Sequence, residues 1–278
     1  MARNTQRFNP RQSMHRTDYE VFHYQDPKMQ EVPLHHHDFY EIYYFLSGNV
    51  EYLVEGRNYM LQPNDILLIS PMELHRPMVA PDKPYERIVL WIDADYLDRL
   101  PEGAEIKRCF GSGHNLFPCG GTAVPSLVRH LVREDQSDRS GSRMYAEGIF
   151  LQLMAEVMRL TEEQPAESDM EGESPLVSQV LRFIGEHFRE ELRLDSLASQ
   201  FYVSKYYLAH TFRQSVGTSV YHYILLKRLQ HARQMMAEGH SPGDACQSCG
   251  FLDYANFYRS FRQTYGISPQ EAVERPQA

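Results

Sequence analysis

The sequence predicts an α+β chain with two parts, an N-terminal β-barrel with appended helices and an all-helical C-terminal part. Three observations predict this fold class. Short strand-like runs separated by glycine and proline turns fill residues 30–93. A helical segment near the C-terminus occurs twice, 49 positions apart. Between the two parts, residues 161–174 are acidic, contain proline and glycine and lack aromatic side chains, which is typical of an interdomain linker.

The N-terminal strands are expected at residues 50–54, 66–69 and 87–92, where apolar and β-branched side chains are concentrated. The turn signals that separate these runs are Gly48-Asn49, Glu55-Gly56-Arg57, Pro63-Asn64-Asp65 and Pro71-Met72-Glu73. Short strands at this spacing predict a β-sandwich or barrel, which we place at residues 1–123.

Four residues of metal-ligating type accompany these strands: His35, His37 and Glu41 before the first run, and His75 after a later turn. Positions 35, 37 and 41 have the same parity, so their side chains would point to one side of a strand. With His75 they would form a set of three histidines and one carboxylate, which suits a divalent Zn, Fe, Ni or Mn ion. In the alternative there is no cofactor, and the histidines line or rim a pocket for an organic ligand.

The predicted ligand pocket lies inside the barrel. The same parity directs Tyr43 and Phe45 to the interior. The candidate ligand-binding residues are His35, His37, Tyr43, Tyr52, Arg76 and Trp91. An aromatic wall with one arginine suits a sugar or a carboxylated small molecule, although an ordinary β-sandwich core has a similar composition.

Two helical patterns follow, at residues 125–133 and 142–160. The second carries a wide apolar stripe, composed of Ala146, Ile149, Leu153, Val157 and Leu160, with Met144, Leu151, Met154 and Met158 beside it. This stripe would pack either on the barrel or against a second copy of the chain. We expect residues 124–160 to form a homodimer interface, because so wide a stripe is difficult to cover within one small domain.

The repeated helical segment begins at Ser204 and again at Asp253, both of which are good N-caps. Each copy has an apolar pair four residues apart, and each closes with glycine, one further residue and serine. These features are Leu208/Phe212 with Gly217-Thr218-Ser219, and Phe257/Phe261 with Gly266-Ile267-Ser268. The exposed side chains differ between the copies, which indicates that each copy recognises a different surface.

A shorter helical pattern precedes each copy. Residues 195–202 precede the first, and Ser241, Pro242 and Gly250 mark the start and the stop of the pattern before the second. Two short helices joined by a tight turn form a helix-turn-helix motif. Residues 219–239 predict a connecting helix about 30 Å long, close to the roughly 34 Å between successive major grooves. We therefore expect DNA binding, with a helical repeat for protein contacts as the alternative.

Residues 176–273 resemble the DNA-binding domain of the AraC/XylS family of bacterial transcription regulators. The matching residues are Leu197-Ala198, Ser204, Leu208, Phe212, Gly217, Tyr223, Arg228, Ala232, Gly250-Phe251, Phe257, Phe261, Gly266 and Ser268-Pro269. In that family the solvent face of each recognition helix reads bases. The resemblance implies that the DNA-binding residues are Lys205, Tyr206, Ala209, His210, Tyr254, Ala255, Asn256, Tyr258 and Arg259.

The first reading helix departs from the family pattern. Many relatives have arginine where His210 stands, and Ala209 cannot hydrogen-bond a base. In the second helix, Asn256 suits adenine and Arg259 suits guanine. We therefore expect the second helix to discriminate between bases more strongly than the first.

The N-terminal histidine pattern is similar to the signature of the cupin double-stranded β-helix. The spacing from His35 to Gly48 matches it, whereas the glycine usually found between Pro71 and His75 is missing. The two resemblances together imply a cupin-like sensor barrel joined to a double helix-turn-helix. They also imply a small-molecule effector, a homodimer, contact with RNA polymerase, and activation of transcription rather than enzymatic turnover. The competing interpretations are a metal-dependent cupin dioxygenase or isomerase, and a regulator with a purely structural barrel.

Charge is divided unevenly along the chain. Residues 175–278 hold 11 Lys and Arg against 9 Asp and Glu, whereas the remaining residues have a net charge of −11. This balance favours DNA contact by the C-terminal part alone, with weak and salt-dependent non-specific binding.

The four cysteines do not predict a disulfide framework in a chain of 278 residues. Cys246 and Cys249 are expected in the core, because no second ligand pair for zinc lies nearby. The sequence has no apolar run of about 20 residues and no signal-peptide core, so we expect a cytoplasmic protein without a membrane partner.

Overall fold

The computed structural model describes residues 13–27, 32–81, 83–111, 114–163 and 175–274. The chain divides into two compact units, Met1–Gly172 and Glu173–Ala278. The linker expected at residues 161–174 lies outside the described residues except for its first three positions, which end a helix.

The described part of the first unit contains eight strands in two antiparallel sheets. The strands are β1 (Tyr19–Asp26), β2 (Tyr40–Ser47), β3 (Val50–Val54), β4 (Arg57–Met60), β5 (Asp65–Ile69), β6 (His75–Val79), β7 (Tyr85–Ile92) and β8 (Leu116–Pro118). One sheet has five strands in the order β1-β7-β2-β5-β8, and the other has three in the order β4-β3-β6. The sheet-rich N-terminal part and the helical C-terminal part confirm the predicted α+β fold class.

Alternating side chains of the five-stranded sheet contribute to two cores. Tyr43 and Phe45 in β2 pack in one cluster with Tyr52 from β3 of the other sheet. Ile42 and Tyr44, at the alternate positions, belong to a second cluster that includes helical residues. Because side chains alternate along a strand and both faces of β2 are covered, apolar residues occupy consecutive positions there.

The strands predicted at residues 50–54, 66–69 and 87–92 are confirmed, as β3, β5 and β7. The expectation that positions 35, 37 and 41 share one strand is wrong, because β2 begins only at Tyr40. His35 instead forms an isolated antiparallel bridge with His75, the first residue of β6.

Four helices complete the described part of the first unit: α1 (Ala94–Asp98), α2 (Gly103–Phe110), α3 (Val124–Asp135) and α4 (Ser142–Glu163). The apolar stripe of α4 packs into the same cluster as Ile42 and Tyr44, which places it on the unit's own sheet. The reasoning that the whole stripe needs a partner is therefore wrong. Of its outer members, Met154 is buried, whereas Met144 and Leu151 are exposed.

The second unit is helical throughout its described part. Its helices are α5 (Pro175–His187), α6 (Leu194–Gln200), α7 (Lys205–Val216), α8 (Val220–Ala237), α9 (Pro242–Ser248), α10 (Tyr254–Tyr265) and α11 (Pro269–Glu274). Cys246 and Cys249 are buried free thiols in a cluster with Phe257 and Phe261, as expected. Among the described residues, none of the helices is long and apolar enough to cross a membrane.

Candidate DNA interface and histidine cluster

Two helix-turn-helix motifs occupy the second unit, α6 with α7 and α9 with α10. The Ser204 hydroxyl accepts a hydrogen bond from the Tyr207 amide at 3.2 Å, and the Asp253 carboxylate accepts one from the Asn256 amide at 2.7 Å. These bonds satisfy amides that have no partner within the first turn of a helix. The first helix of the first motif has no such cap: α6 begins at Leu194, and its N-cap Arg193 makes no side-chain capping bond.

The two turns reach the same backbone conformation with different residues. Gly250 after α9 has φ of 77°, and Tyr202 after α6 has φ of 56°. A Cβ atom on Gly250 would lie only 2.2 Å from the carbonyl oxygen of Arg189, so glycine is required there by space as well as by φ. Tyr202 has a Cβ atom, so it pays the conformational cost of the left-handed region that glycine avoids.

The residues expected to contact DNA lie on the outer faces of α7 and α10. Exposed members are Lys205, Tyr206, His210, Tyr254, Ala255 and Arg259, and partly buried members are Ala209, Asn256 and Tyr258. Leu208 and Phe257, between them, are fully buried. Tyr207, which is 56% exposed, extends this surface, although neither the spacing nor the resemblance pointed to it.

The connecting helix α8 is held firmly to the rest of its unit. Tyr223, Leu229 and Met236 are buried along this helix. Arg228 donates from Nε to the Phe188 carbonyl at 2.7 Å and from a terminal nitrogen to the Glu190 carbonyl at 2.6 Å. These bonds satisfy carbonyl groups at and beyond the end of α5, and give Arg228 a structural role.

The first unit gathers three of the four candidate metal ligands. Side-chain ligand atoms of His37, Glu41 and His75 all lie within 4.8 Å of one another, and all three residues are buried. His37 Nε2 is 3.3 Å from Glu41 Oε2. His35 stands beside this group, with its ring centroid 4.3 Å from that of His75 and 6.4 Å from that of His37.

Backbone carbonyls orient the histidine rings. His37 Nδ1 lies 2.9 Å from the Phe39 carbonyl, and His75 Nδ1 lies 2.7 Å from the Glu73 carbonyl. Because a carbonyl can only accept, each Nδ1 carries a proton, and the Nε2 of the neutral His75 ring then presents a lone pair. Neither Nε2 has a hydrogen-bond partner. A hydrogen bond from the other ring nitrogen to a backbone carbonyl is typical of metal-ligating histidines.

The carboxylate of the group is oriented in the same way. Trp91 donates from Nε1 to Glu41 Oε2 at 2.8 Å, and the Tyr52 hydroxyl also hydrogen-bonds Glu41. Two imidazoles and one carboxylate form a donor set that suits Zn, Fe, Ni or Mn better than Mg or Ca. The residues present therefore fit a divalent transition metal ion.

Burial favours the neutral form of two histidines here, His75 and His35. It lowers the pKa of His75 well below its usual range, and the nearby His35 and His37 lower it further. Burial, followed by the neighbouring His37, also lowers the pKa of His35 to about 4. Neutral imidazole is the form that binds a metal ion, so neither ring has to lose a proton first at neutral pH.

The residues predicted to line an organic pocket have different positions. Tyr43, Tyr52 and Trp91 face the space between the sheets, as expected. Arg76 does not, because it pairs with Leu53, the neighbour of the inward-facing Tyr52, and so projects from the opposite face of the three-stranded sheet. That prediction is wrong, and Arg76 lines an external groove of about 570 Å³.

The arginine of the interior is Arg87, which the sequence pattern did not single out. It is 2% exposed, forms an ion pair with Asp26, and lies over the rings of Tyr24 and Tyr85 at 4.8 and 4.2 Å. A charged residue inside an otherwise buried strand was the available signal, since such a charge needs a partner.

Comparison with known proteins matches both units. An AraC-like ligand binding domain matches residues 19–154, and a helix-turn-helix domain matches residues 197–275. The uncharacterized HTH-type transcriptional regulator YbfI of Bacillus subtilis is 26% identical, over 82% of each chain. The HTH-type transcriptional activator RhaR of Pectobacterium atrosepticum is 27% identical, over 87% of this chain and 86% of the relative.

More distant matches also extend over most of the chain. The HTH-type transcriptional activator RhaS of Escherichia coli is 22% identical, over 88% of this chain and 90% of the relative. The solved structure of ToxT from Vibrio cholerae with a bound unsaturated fatty acid is 14% identical over 93% of this chain and 95% of that chain, with a TM-score of 0.39.

The relatives named here are regulators of transcription, and the helix-turn-helix match covers both recognition helices. The chain is accordingly a DNA-binding regulator and not an enzyme. It belongs to the AraC family of transcription regulators, with an N-terminal ligand-binding domain and a C-terminal helix-turn-helix domain.

Proposed function

We propose that the chain is a sequence-specific transcription activator that reads DNA with both α7 and α10. The observation that carries this proposal is the presence, within one unit, of two capped helices whose outer faces carry different polar side chains. The 18 residues of α8 between the motifs span about 27 Å. Allowing for the width of the two helices, this length suits adjacent major grooves about 34 Å apart.

Activation is the direction of control that the relatives support, because RhaR and RhaS are named transcriptional activators. RNA polymerase is then the protein partner. Since the target is chromosomal DNA, we place the chain in the cytoplasm. The exposed Met144 and Leu151 of α4 support a homodimer that forms through this helix.

The first unit is proposed to bind the effector. Tyr43, Tyr52 and Trp91 surround the space between the sheets with aromatic rings, and an aromatic lining suits sugars and small carboxylic acids. Binding there would change DNA affinity to the extent that the ligand favours one state of the chain over another. A thermal-shift screen of sugars and small carboxylic acids tests this proposal. No rise in melting temperature with any compound of the two classes would contradict it.

Selection of duplex DNA by the purified full chain tests the main proposal. We expect enrichment of one motif with two conserved segments from a random library. The variant with Asn256→Ala and Arg259→Ala should enrich a motif that keeps only one of these segments. Enrichment of no motif by the wild-type chain at any salt concentration would show that the protein does not read sequence.

A further inference from the structure

The interior of the first unit contains a site sized for an ion. The ligand atoms of His37, Glu41 and His75 lie within 4.8 Å of one another, and metal–ligand bonds of about 2.0–2.2 Å place donor atoms roughly 3–4 Å apart. Small side-chain movements would therefore close the set around an ion. The relative exposures of these residues are 2%, 5% and 0%, so solvent does not compete for the donor atoms.

Two of the donor atoms are buried and make no hydrogen bond, although His37 Nε2 lies 3.3 Å from Glu41 Oε2. His37 Nε2 and His75 Nε2 are buried without hydrogen-bond partners, while the Nδ1 atoms of both rings are engaged by backbone carbonyls. A buried polar atom without a partner costs free energy unless something binds it. The orienting bonds to both histidine rings are therefore already formed, while their Nε2 atoms are left without hydrogen bonds.

The surrounding aromatic residues are already packed against one another. The ring centroids of Tyr43 and Tyr52 are 4.8 Å apart, and those of Phe39 and Trp91 are 4.6 Å apart. Tyr43 also hydrogen-bonds Tyr85 through the two hydroxyl groups. An organic effector would have to separate these contacts, whereas an ion at the three ligands would leave them in place.

The three ligands also connect the two sheets. Glu41 lies in β2 of the five-stranded sheet and His37 just before it, whereas His75 begins β6 of the three-stranded sheet. His35 and His75 exchange backbone hydrogen bonds of 3.2 and 2.9 Å at the same place. Occupation of the site would therefore fix the separation of the sheets, which is a change that the rest of the unit can respond to.

We propose that a divalent transition metal ion held by His37, Glu41 and His75 is the signal that the N-terminal unit senses. This inference rests on the proposed function, and it makes the effector an ion instead of a sugar or an organic acid. Imidazole and carboxylate donors select Zn²⁺, Ni²⁺, Co²⁺, Fe²⁺ or Mn²⁺ over Mg²⁺ and Ca²⁺.

Trp91 provides a direct reporter of binding. It is the single tryptophan of the chain, and its indole donates to the Glu41 carboxylate. Full-length protein treated with a chelator should change its tryptophan fluorescence at one equivalent of Zn²⁺, Ni²⁺ or Co²⁺ and not with Mg²⁺. The melting temperature of the N-terminal unit should rise in parallel, because a ligand that binds only the folded state stabilises it.

Variants distinguish binding of the ion at the three buried ligands from binding at histidines on the surface. Glu41→Gln keeps an acceptor for Trp91 but loses the charge, so it should fold and lose the fluorescence response; His75→Ala should lose it as well. His130→Ala, which removes an exposed histidine of α3, is the matched control and should respond like the wild type. An unchanged response in Glu41→Gln would overturn the proposal, even if His75→Ala fails to fold.

DNA affinity decides whether the ion is the signal. With the selected operator, the ion should change the dissociation constant of the wild type about 5- to 150-fold, the range typical of coupling between two sites, and leave that of Glu41→Gln unchanged. Binding of the ion without any change in DNA affinity would overturn the proposal. If the chain fails to bind any specific DNA sequence with or without the ion, the proposed function itself is wrong; specific binding without an ion response rejects only this inference.

Discussion

The proposed discrimination between DNA sequences depends on individual side chains on the outer face of α10. Arg259 is exposed, and its Nε donates to the Ala255 carbonyl at 3.3 Å, a bond that does not use its two terminal nitrogens. Guanine offers two acceptors in the major groove that match such a pair of donors. Asn256 on the same helix is partly buried and has a side chain suited to adenine.

We expect Arg259→Ala to weaken binding to the selected operator by about 1–3 kcal/mol and to relax the preference at one base pair, as the loss of a bidentate base contact does. Titrations against the operator and against its single-base variants measure both effects. Arg159→Ala, an exposed arginine of α4, is the control and should behave like the wild type. Equal weakening on every sequence would show that Arg259 contacts only phosphate.

Backbone strain at Tyr202 offers a second test. The residue has φ of 56° and is 97% exposed, so its side chain makes few contacts that could compensate for the left-handed conformation. We expect Tyr202→Gly to raise the free energy of unfolding of the second unit by roughly 1 kcal/mol, as glycine usually does after a helix. Denaturant titration measures the change, and Tyr202→Ala, which keeps the strain, should show no comparable gain.

The pH dependence of the second unit should follow His231. Arg189 donates to His231 Nε2 at 2.6 Å, which requires a neutral ring. Burial, and then the charge of Arg189, lower the pKa of His231. Because the unfolded chain takes up this proton first, the free energy of unfolding should fall as the pH drops below about 6.5, the usual histidine pKa.

Hydrogen exchange of α8 amides between pH 5 and 8 measures this dependence. The exchange rates have to be corrected for the intrinsic effect of pH before they are compared. We expect His231→Gln to flatten the profile and His240→Gln, which alters an exposed histidine of the same unit, to leave it unchanged. Identical profiles in all three proteins would show that the Arg189–His231 contact contributes nothing to stability.

At the scale of elements, α4 shows how one helix can serve two surfaces. Its buried side packs on the first unit's own sheet, and its outer side exposes Met144 and Leu151. An α-helix has 3.6 residues per turn, so apolar residues at different spacings along α4 lie on different sides of the helix. The sequence pattern revealed the apolar residues, but it could not assign each to the core or to a partner.

We expect Leu151→Asp to weaken self-association of the full chain at least tenfold while it leaves the melting temperature nearly unchanged, because exposed positions contribute little to folding. Sedimentation velocity over a range of concentrations measures the association. Met60→Asp, which alters a Met that is 57% exposed on β4, is the control. A wild-type chain that stays monomeric at all concentrations tested would contradict the proposed dimer.

Strands differed in how far local sequence could predict them. The bounds of β3 were predictable because glycine turns enclose an apolar run. β6 was not, since it begins with histidine and arginine and contains Pro77, which is uncommon inside a strand. β1 and β4 carry polar side chains at many positions and form strands through pairing with β7 and β3.

The histidine cluster shows the same limit for a site. The residue types and the parity of His37 and Glu41 pointed to a metal set, although the two residues do not share one strand. The approach of His75 depends on contact between two sheets, and the orienting bonds from Phe39 and Glu73 depend on local loop conformation. None of these is encoded by spacing alone. The capped recognition helices, by contrast, are local features and were predictable in detail.

For the whole molecule, charge favours contact with DNA through one unit. Residues 175–278 have a net charge of +2, whereas the chain as a whole has −9. Since the non-specific attraction to phosphate is then small, binding at physiological salt has to come largely from the base contacts of two motifs. We therefore propose that two recognition helices, each binding weakly, act together on one duplex.

Hydroxyl-radical footprinting of the full chain on its selected operator tests that claim most directly. At saturating protein, we expect two protected tracts on one face of the duplex, about 10–10.5 base pairs apart. The variant with Asn256→Ala and Arg259→Ala should lose one tract, and the variant with Lys205→Ala and Tyr206→Ala should lose the other. A single protected tract in the wild type, or loss of the same tract in both variants, would contradict reading by two helices.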